Sequence, residues 1–361
     1  MSRFLVFIFL IGAWFIGCSR LSDPSPSYTY RIPENSENDI SVSSLEAEGI
    51  DESLIIQMTE KIRREDIKRI DGVLMLRHNK LVYEEYFHGH DKEVLHNFYS
   101  SAKSITSLLV GIAVEKGFID NINQPIVEFL PEYKSFLNPD SRKDVITVAD
   151  LLNMSSGLDC DDWYKGTETM MRKSRDWIKF TLDLPMVNDP GTTGVYCTGG
   201  VVTLGRIIEN QSNLSLEEFA NQYLFKPLNI KRVKWDIMPD GHASGGGAFF
   251  LRPRDMSKIG LLMLNEGMWN GNQIVPKDWV ERCSESEIKL PGPFDGYGYL
   301  WWKQMFQNNV DAYFSSGNGG QDMFVIPSKE LVLVFTSGNE NTELGNQVFY
   351  MISNYLLPSI E

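Results

Sequence analysis

Apolar positions along this chain recur with two different periods, and the changes of period mark out its elements. Leu54, Ile55, Met58 and Ile62 fall at helical spacing, so the pattern predicts an amphipathic helix from about Glu52 to Arg64. Two strand-like runs follow, Gly72–Arg77 and Lys80–Phe87, with His78-Asn79 as the hairpin turn between them. A second helix is predicted to open at Ser100, to carry Ile105, Leu108, Leu109 and Ile112 on one face, and to stop at Gly117. Between residues 118 and 240, proline and glycine separate several helical segments: Val148–Met154, Leu216–Leu224 and the run after Gly199. Strand patterns return at Gly247–Leu251, near Tyr297–Trp302, at Met323–Ile326 and at Leu331–Phe335, before a last helix over Thr342–Leu356. Strands at both ends with helices between them imply an α/β (α+β) fold, an antiparallel sheet flanked by helices with an inserted helical domain.

The amino terminus departs from this pattern. Arg3 precedes a run of thirteen apolar residues, Phe4–Ile16, ending at Gly17-Cys18. A bilayer span takes about 20 residues, so the run suits a signal-peptide core over residues 1–17 instead. Its ending is similar to a bacterial lipoprotein signal, in which the cysteine, here Cys18, is acylated; Phe15 departs from the usual leucine. A plain cleaved signal peptide or a short membrane anchor is the simpler alternative. Residues 18–46 are rich in Ser, Pro, Asn and acidic side chains and read as a solvated tether. Residues 47–361 form the folded domain, and the expected location is exported and lipid-anchored to the bacterial cell envelope.

Composition narrows the function classes. With 361 residues, 42% of them hydrophobic, the chain can bury a large core. A net charge of -14 argues against nucleic acid as a partner, because no bulk basic surface exists to neutralise phosphates. It says little about a small-molecule substrate.

Three segments carry chemistry. Ser100-Ser101-Ala102-Lys103 fits S-x-x-K, and on a helix residues three apart share a face, so the amine can reach the hydroxyl. A desolvated lysine loses its preference for the charged form and can act as a base. A serine at the first helical turn also has its N–H among the unpaired donors, where an oxyanion would be stabilised. A second match, Ser286 to Lys289, runs into Leu290-Pro291 and opens no amphipathic helix. The second segment, Pro190–Gly200, holds Tyr196, which is either a packed core residue or a phenol able to relay a leaving-group proton. The third, Ser315–Gln321, is glycine-rich and precedes a strand. It is either a turn or an open floor that exposes the Gln321 N–H as an oxyanion donor.

In this order the three segments resemble the serine β-lactamase-like superfamily, which includes penicillin-binding proteins, class C β-lactamases, related esterases and 6-aminohexanoate-dimer hydrolases. Ile146–Leu158 and Gly245–Met256 also look like the family, and the likeness spans residues 50 to 361. The resemblance implies Ser100 as acylated nucleophile, Lys103 as general base and Tyr196 as the motif tyrosine. The N–H groups of Ser100 and Gln321 would form the oxyanion hole, with substrate contacts at Thr198, Asn318, Gly319 and Gly320. Thr198 stands where the family often has Asn, and Asn318 where β-lactamases carry a lysine. Arg252 and Arg254 could replace that cation, although Pro253 between them points to capping of the next helix. The loops holding Cys160 and Cys197 flank the same cleft in the family, which implies a Cys160–Cys197 disulfide.

Other chemistries lack support. The chain has no G-x-S-x-G and no H-E-x-x-H. His88 and His90 read as exposed turn residues rather than metal ligands, and no metal or cofactor is expected. The expected activity is a serine hydrolase cleaving a small-molecule ester or amide, more esterase or linear amidase than β-lactamase or D-Ala-D-Ala carboxypeptidase. The contrasting class is a non-catalytic envelope binding protein on the same fold.

Overall fold

The computed structural model describes residues 28–35 and 40–360; Cys18 and the expected signal segment over residues 1–17 lie outside them. Asp51 caps the first helix, α1 (Glu52–Arg63), by accepting from the Ser53 N–H at 2.8 Å. The hairpin β1 (Ile70–Arg77) and β2 (Lys80–Tyr86) turns at His78 and Asn79, both at positive φ, as a two-residue turn that matches strand twist requires. After the short β3 (His96–Asn97) comes α2 (Ala102–Glu115), entered through a single 3-10 turn over Tyr99–Ser101.

A helical lobe follows. It contains α3 (Val148–Leu152), α4 (Thr167–Arg172), α5 (Trp177–Asp183), α6 (Thr198–Ser212) and α7 (Leu216–Ala220). Thr147/Asp150 and Ser215/Glu218 form capping boxes at α3 and α7, so their starts are fixed locally. The chain then returns through β4 (Lys234–Trp235), β5 (Phe249–Leu251) and α8 (Pro253–Leu264). A small hairpin, β6 (Met268–Trp269) and β7 (Asn272–Gln273), and α9 (Lys277–Ser284) lead to the main strands. These are β8 (Gly296–Gly298), β9 (Trp301–Phe306), β10 (Val310–Gly317), β11 (Gln321–Ile326) and β12 (Leu331–Ser337), before α10 (Gln347–Met351).

The main sheet is antiparallel, in the order β2-β1-β12-β11-β10-β9-β8. Consecutive residues of β11 serve opposite faces. Met323 packs toward α8, where a Cβ on Gly260 would sit 3.1 Å from its sulfur, while Phe324 meets Phe349 of α10. Every residue of α2 from Ala102 to Ala113 is buried. A helix buried on all sides belongs inside the molecule, and α2 packs against both α6 and β10.

Three expectations change. The run Tyr297–Trp302 is not one strand: it reverses at Tyr299 and Leu300, both at positive φ, to form the β8–β9 hairpin. That apolar turn is buried and held from outside, with Leu300 N–H on the Leu152 carbonyl at 3.0 Å and Tyr299 N–H on Asn153 Oδ1 at 3.1 Å. Val310–Gly317, outside the expected strand patterns and overlapping the Ser315–Gln321 segment, is strand β10. The described part of the tether is docked rather than solvated. Tyr28 donates to Glu85 at 2.6 Å and Tyr30 to the Val82 carbonyl at 2.8 Å. Val42 pairs with Leu81, and Ile40 and Leu45 are buried. The unpaired edge of β2 offers backbone groups, and these apolar side chains cover it.

Candidate active site

Ser100 lies where the loop after β3 meets α2. Tyr99, just before it, adopts φ +46, which costs a non-glycine residue about 1–3 kcal/mol unless its surroundings hold it. They do. Asn97 Oδ1 accepts from the Tyr99 N–H and the Phe249 N–H, both at 3.0 Å, and the Phe98 N–H donates to the Phe249 carbonyl at 2.7 Å. On the sheet side, the Ser101 hydroxyl donates to the Gln321 carbonyl at 2.8 Å. A Cβ on Gly317 would stand 2.1 Å from the Phe98 carbonyl oxygen, so only glycine lets β10 pass beside the serine turn.

Lys103 is buried. Its Nζ donates to Ser100 Oγ at 3.1 Å and to the Gly246 carbonyl at 2.5 Å, and stands 5.1 Å from the centre of the Tyr196 ring. The structure therefore brings Ser100 from the 3-10 turn, Lys103 from α2 and Tyr196 from the turn before α6 together. The second S-x-x-K copy, Ser286 to Lys289, lies in an irregular segment bridged to Tyr297.

Tyr196 is held by its neighbours rather than by its own side chain. Cys160 and Cys197 form a disulfide with Cα atoms 5.4 Å apart. The Asp162 N–H donates to the Tyr196 carbonyl at 3.0 Å, and the Thr198 N–H donates to Asp162 Oδ2 at 2.6 Å. Trp163 stacks on Tyr196 with ring centres 4.8 Å apart, and Trp302 lies near-parallel to both, at 5.9 Å from Trp163 and 5.8 Å from Tyr196. Residues 160–163 and 196–198 thus behave as one unit.

Asp162 and Trp163 escaped the reading of the sequence, where Cys160-Asp-Asp-Trp-Tyr164 is an ordinary polar loop. The signal was the spacing of the cysteines, which places this loop against Tyr196 once they are joined. Burial pushes the Asp162 carboxyl above its usual range, against the pull of the Lys103 charge and the Thr198 amide. Its Oδ1 is buried without a hydrogen-bond partner among the described residues.

Several predicted substrate contacts have packing duties instead. Thr198 is fully buried at the start of α6. Gly319 and Gly320 are not an open floor: their positive φ and bare Cα atoms let the β10–β11 turn close onto the segment after β12. Added Cβ atoms would meet the Glu340 nitrogen at 2.7 Å and the Gly345 oxygen at 3.0 Å. Asn318 is exposed, but both ends of its amide are engaged by Asn341, at 2.9 and 2.8 Å. Gln321 is buried and braces the Ser337 backbone with its side chain. Arg252 pairs with Asp255 at 2.8 Å, and Arg254 with Glu84 at 2.5 Å, so both guanidinium groups are committed. His88 is ion-paired rather than free in its turn, 2.5 Å from Glu65 and 3.0 Å from Asp71.

Residues 62–348 match the family described as Beta-lactamase. The chain belongs to that family. It is 25% identical to the 6-aminohexanoate-dimer hydrolase of Paenarthrobacter ureafaciens over 289 residues, 73% of this chain and 71% of that protein. A solved octameric penicillin-binding protein homologue from Pyrococcus abyssi superposes with a TM-score of 0.67 at 20% identity, covering 86% of this chain and 77% of that one. A family VIII carboxylesterase superposes with a TM-score of 0.67 at 15% identity, covering 84% and 96%. These two structural likenesses carry the fold. A serine hydrolase is what the family and the Ser100–Lys103 pair have in common.

Proposed function

We propose that this chain hydrolyses an ester or a linear amide through an acyl-Ser100 intermediate, and does so better than it opens β-lactams. The observation that carries the reading is the contact of the buried Lys103 Nζ with the half-buried Ser100 Oγ at 3.1 Å. The Gly246 carbonyl takes one N–H of the lysine and so aims the amine at the serine. In its neutral form Lys103 accepts the Ser100 proton as Oγ bonds to the substrate carbonyl carbon. The carbonyl oxygen becomes an oxyanion, held by the N–H groups of Ser100 and, in our assignment, Gln321. As the bond to the leaving group breaks, that group takes a proton through Tyr196, which Lys103 replenishes. Water then attacks the acyl-enzyme by the same route in reverse and frees Ser100.

The preference over β-lactams rests on Asn318 and on the rings. A charge-assisted contact to a substrate carboxylate is worth about tenfold to a hundredfold in affinity. Residues 315–321 contain no cation, and the Asn318 amide is already bonded to Asn341. Trp163, backed by the buried rings of Tyr196 and Trp302, offers apolar surface instead. The 6-aminohexanoate-dimer hydrolase and carboxylesterase among the similar proteins agree with amide and ester substrates.

The test is a substrate panel: a short-chain nitrophenyl ester, a linear amide dimer, nitrocefin and a D-Ala-D-Ala peptide, run on the wild type, Ser100→Ala and Lys103→Ala. Members of a catalytic unit act together, so each variant loses most turnover, on the order of a thousandfold or more. A fluorophosphonate probe labels the peptide containing Ser100. Efficient nitrocefin turnover without ester or linear-amide cleavage contradicts the preference, and wild-type turnover by Ser100→Ala sinks the assignment.

A further inference from the structure

Trp163 is an uncommon surface residue. Its indole is 44% exposed, and its neighbour Tyr164 is 75% exposed, yet the backbone beneath them is tightly held. Asp161 Oδ1 accepts from the Trp163 N–H at 3.1 Å and from the Tyr164 N–H at 2.9 Å. Thr167 closes the loop from the other side: its hydroxyl accepts from the Asp161 N–H at 2.9 Å, and its own N–H donates to the Asp161 carbonyl at 3.1 Å. The disulfide and Asp162 tie the same loop to the Tyr196 turn. A large apolar ring fixed in advance and left half in water binds a partner without the usual cost of ordering it.

Its position gives the partner's identity. Trp163 stacks face to face on Tyr196, which covers the tyrosine ring and leaves it almost fully buried. Trp302, itself buried, lies nearly parallel to both rings and backs the stack. Gly292 borders the indole, where a Cβ would come within 3.7 Å of the ring, so the rim there is bare backbone. Resting on the hydrolase reading above, in which Tyr196 delivers the leaving-group proton, the departing alcohol or amine must come within hydrogen-bond reach of the tyrosine hydroxyl. That is the portion of the substrate nearest to Trp163. We propose that Trp163 is the specificity-determining residue for the leaving group, and that it selects a planar, uncharged, apolar alcohol or amine by stacking.

Two acetates with alcohols of similar basicity, benzyl acetate and ethyl acetate, separate stacking from intrinsic reactivity. In Trp163→Ala the ratio of kcat/KM for benzyl over ethyl acetate falls about tenfold, whatever loss the two share, as expected for one aromatic pair with its buried area. Trp163→Phe keeps most of the ratio. An unchanged ratio in Trp163→Ala overturns the proposal, because the indole would then only shield Tyr196. A loss that follows acyl length, read from benzyl butyrate against benzyl acetate, overturns it as well. A second measurement needs no turnover: 19F NMR line broadening of 4-fluorobenzyl alcohol by wild type, reduced at least severalfold in Trp163→Ala. Wild type that cleaves no ester but binds this alcohol through Trp163 defeats the hydrolase reading and leaves the platform standing, whereas equal broadening by both proteins defeats the platform.

Discussion

The helical-lobe side and the sheet side of the serine turn each bury a carboxyl and a hydroxyl with an unpartnered oxygen among the described residues. On the lobe side these are Asp162 Oδ1 and Thr198 Oγ1; on the sheet side they are Asp322 Oδ1 and Ser315 Oγ. Burial pushes both carboxyls up, but their surroundings differ. Asp162 feels the positive charge of Lys103, which opposes the rise. Asp322, opposite Ser316 on β10, has only the Ser316 hydroxyl and the Gly317 amide to help it, and its pKa reaches about 7. A buried carboxyl near Lys103 has that charge, and the Thr198 amide, to oppose its rise. The same group within strand β11, with neutral partners, changes charge near neutral pH.

The largest expected effect tests that contrast through stability. An acid whose folded pKa lies above its unfolded value binds more protons when folded. Its burial is therefore least costly below the unfolded pKa, and stability falls as pH rises toward the folded value. For Asp322 the window runs from 3.8 to about 7, and the full shift corresponds to a ceiling of about 4 kcal/mol. Asp322→Asn removes this titration, so its stability should fall less than that of the wild type between pH 4 and pH 7. Urea midpoints at pH 4.5 and pH 7.5 for both proteins measure the difference. Equal pH dependence would show that Asp322 is solvated or paired after all.

The lobe side gains its order from a covalent link, and breaking it is the next largest effect. The disulfide closes a loop with a sequence separation of 37 residues, for which the loop-entropy argument gives about 3–4 kcal/mol. The Cys160→Ala, Cys197→Ala double variant should unfold at lower denaturant by that amount. Its turnover should fall as well, because Asp162 and Trp163 are no longer pinned to the Tyr196 turn. Lost stability with unchanged turnover would mean that the hydrogen bonds and ring stack hold the unit without the sulfurs.

The same contrast explains what sequence reading reaches. Helix α1 and the β1–β2 hairpin were evident because their apolar periods and turn residues are local, and Ser100-x-x-Lys103 because both residues share one helical face. The Tyr299-Leu300 turn carries no turn chemistry of its own. Asn153 and the Leu152 carbonyl hold it, and neither is near in sequence. Gly319 and Gly320 read as openness when taken alone, and only the neighbouring 338–345 segment shows that they serve close packing. Asp162 acquires its role from Lys103 and Thr198, which reach it through the tertiary fold.

The smallest effect concerns the two hydroxyls. A buried donor without a partner costs about 1–3 kcal/mol relative to a paired one, so deleting it removes a penalty. Ser315 is fully buried on β10, in register with Met323 and two residues from the glycine that passes the serine turn. Alanine keeps the backbone and leaves a gap of a single oxygen. Ser315→Ala should therefore raise stability by up to about 1 kcal/mol. Thr198→Val on the lobe side should do the same while leaving the Thr198 N–H on Asp162 in place. A hydroxyl kept at such a cost is the kind of local compromise that function maintains, and stability gained there tends to be paid for in activity. Denaturant midpoints and kcat/KM measured together decide between the two sides. If Ser315→Ala stabilises the fold but slows turnover while Thr198→Val only stabilises it, the buried hydroxyl on the sheet side is the one that supports the Ser100 turn. Loss of stability in Ser315→Ala would instead mean that its hydroxyl is already satisfied, by bound water inside the fold.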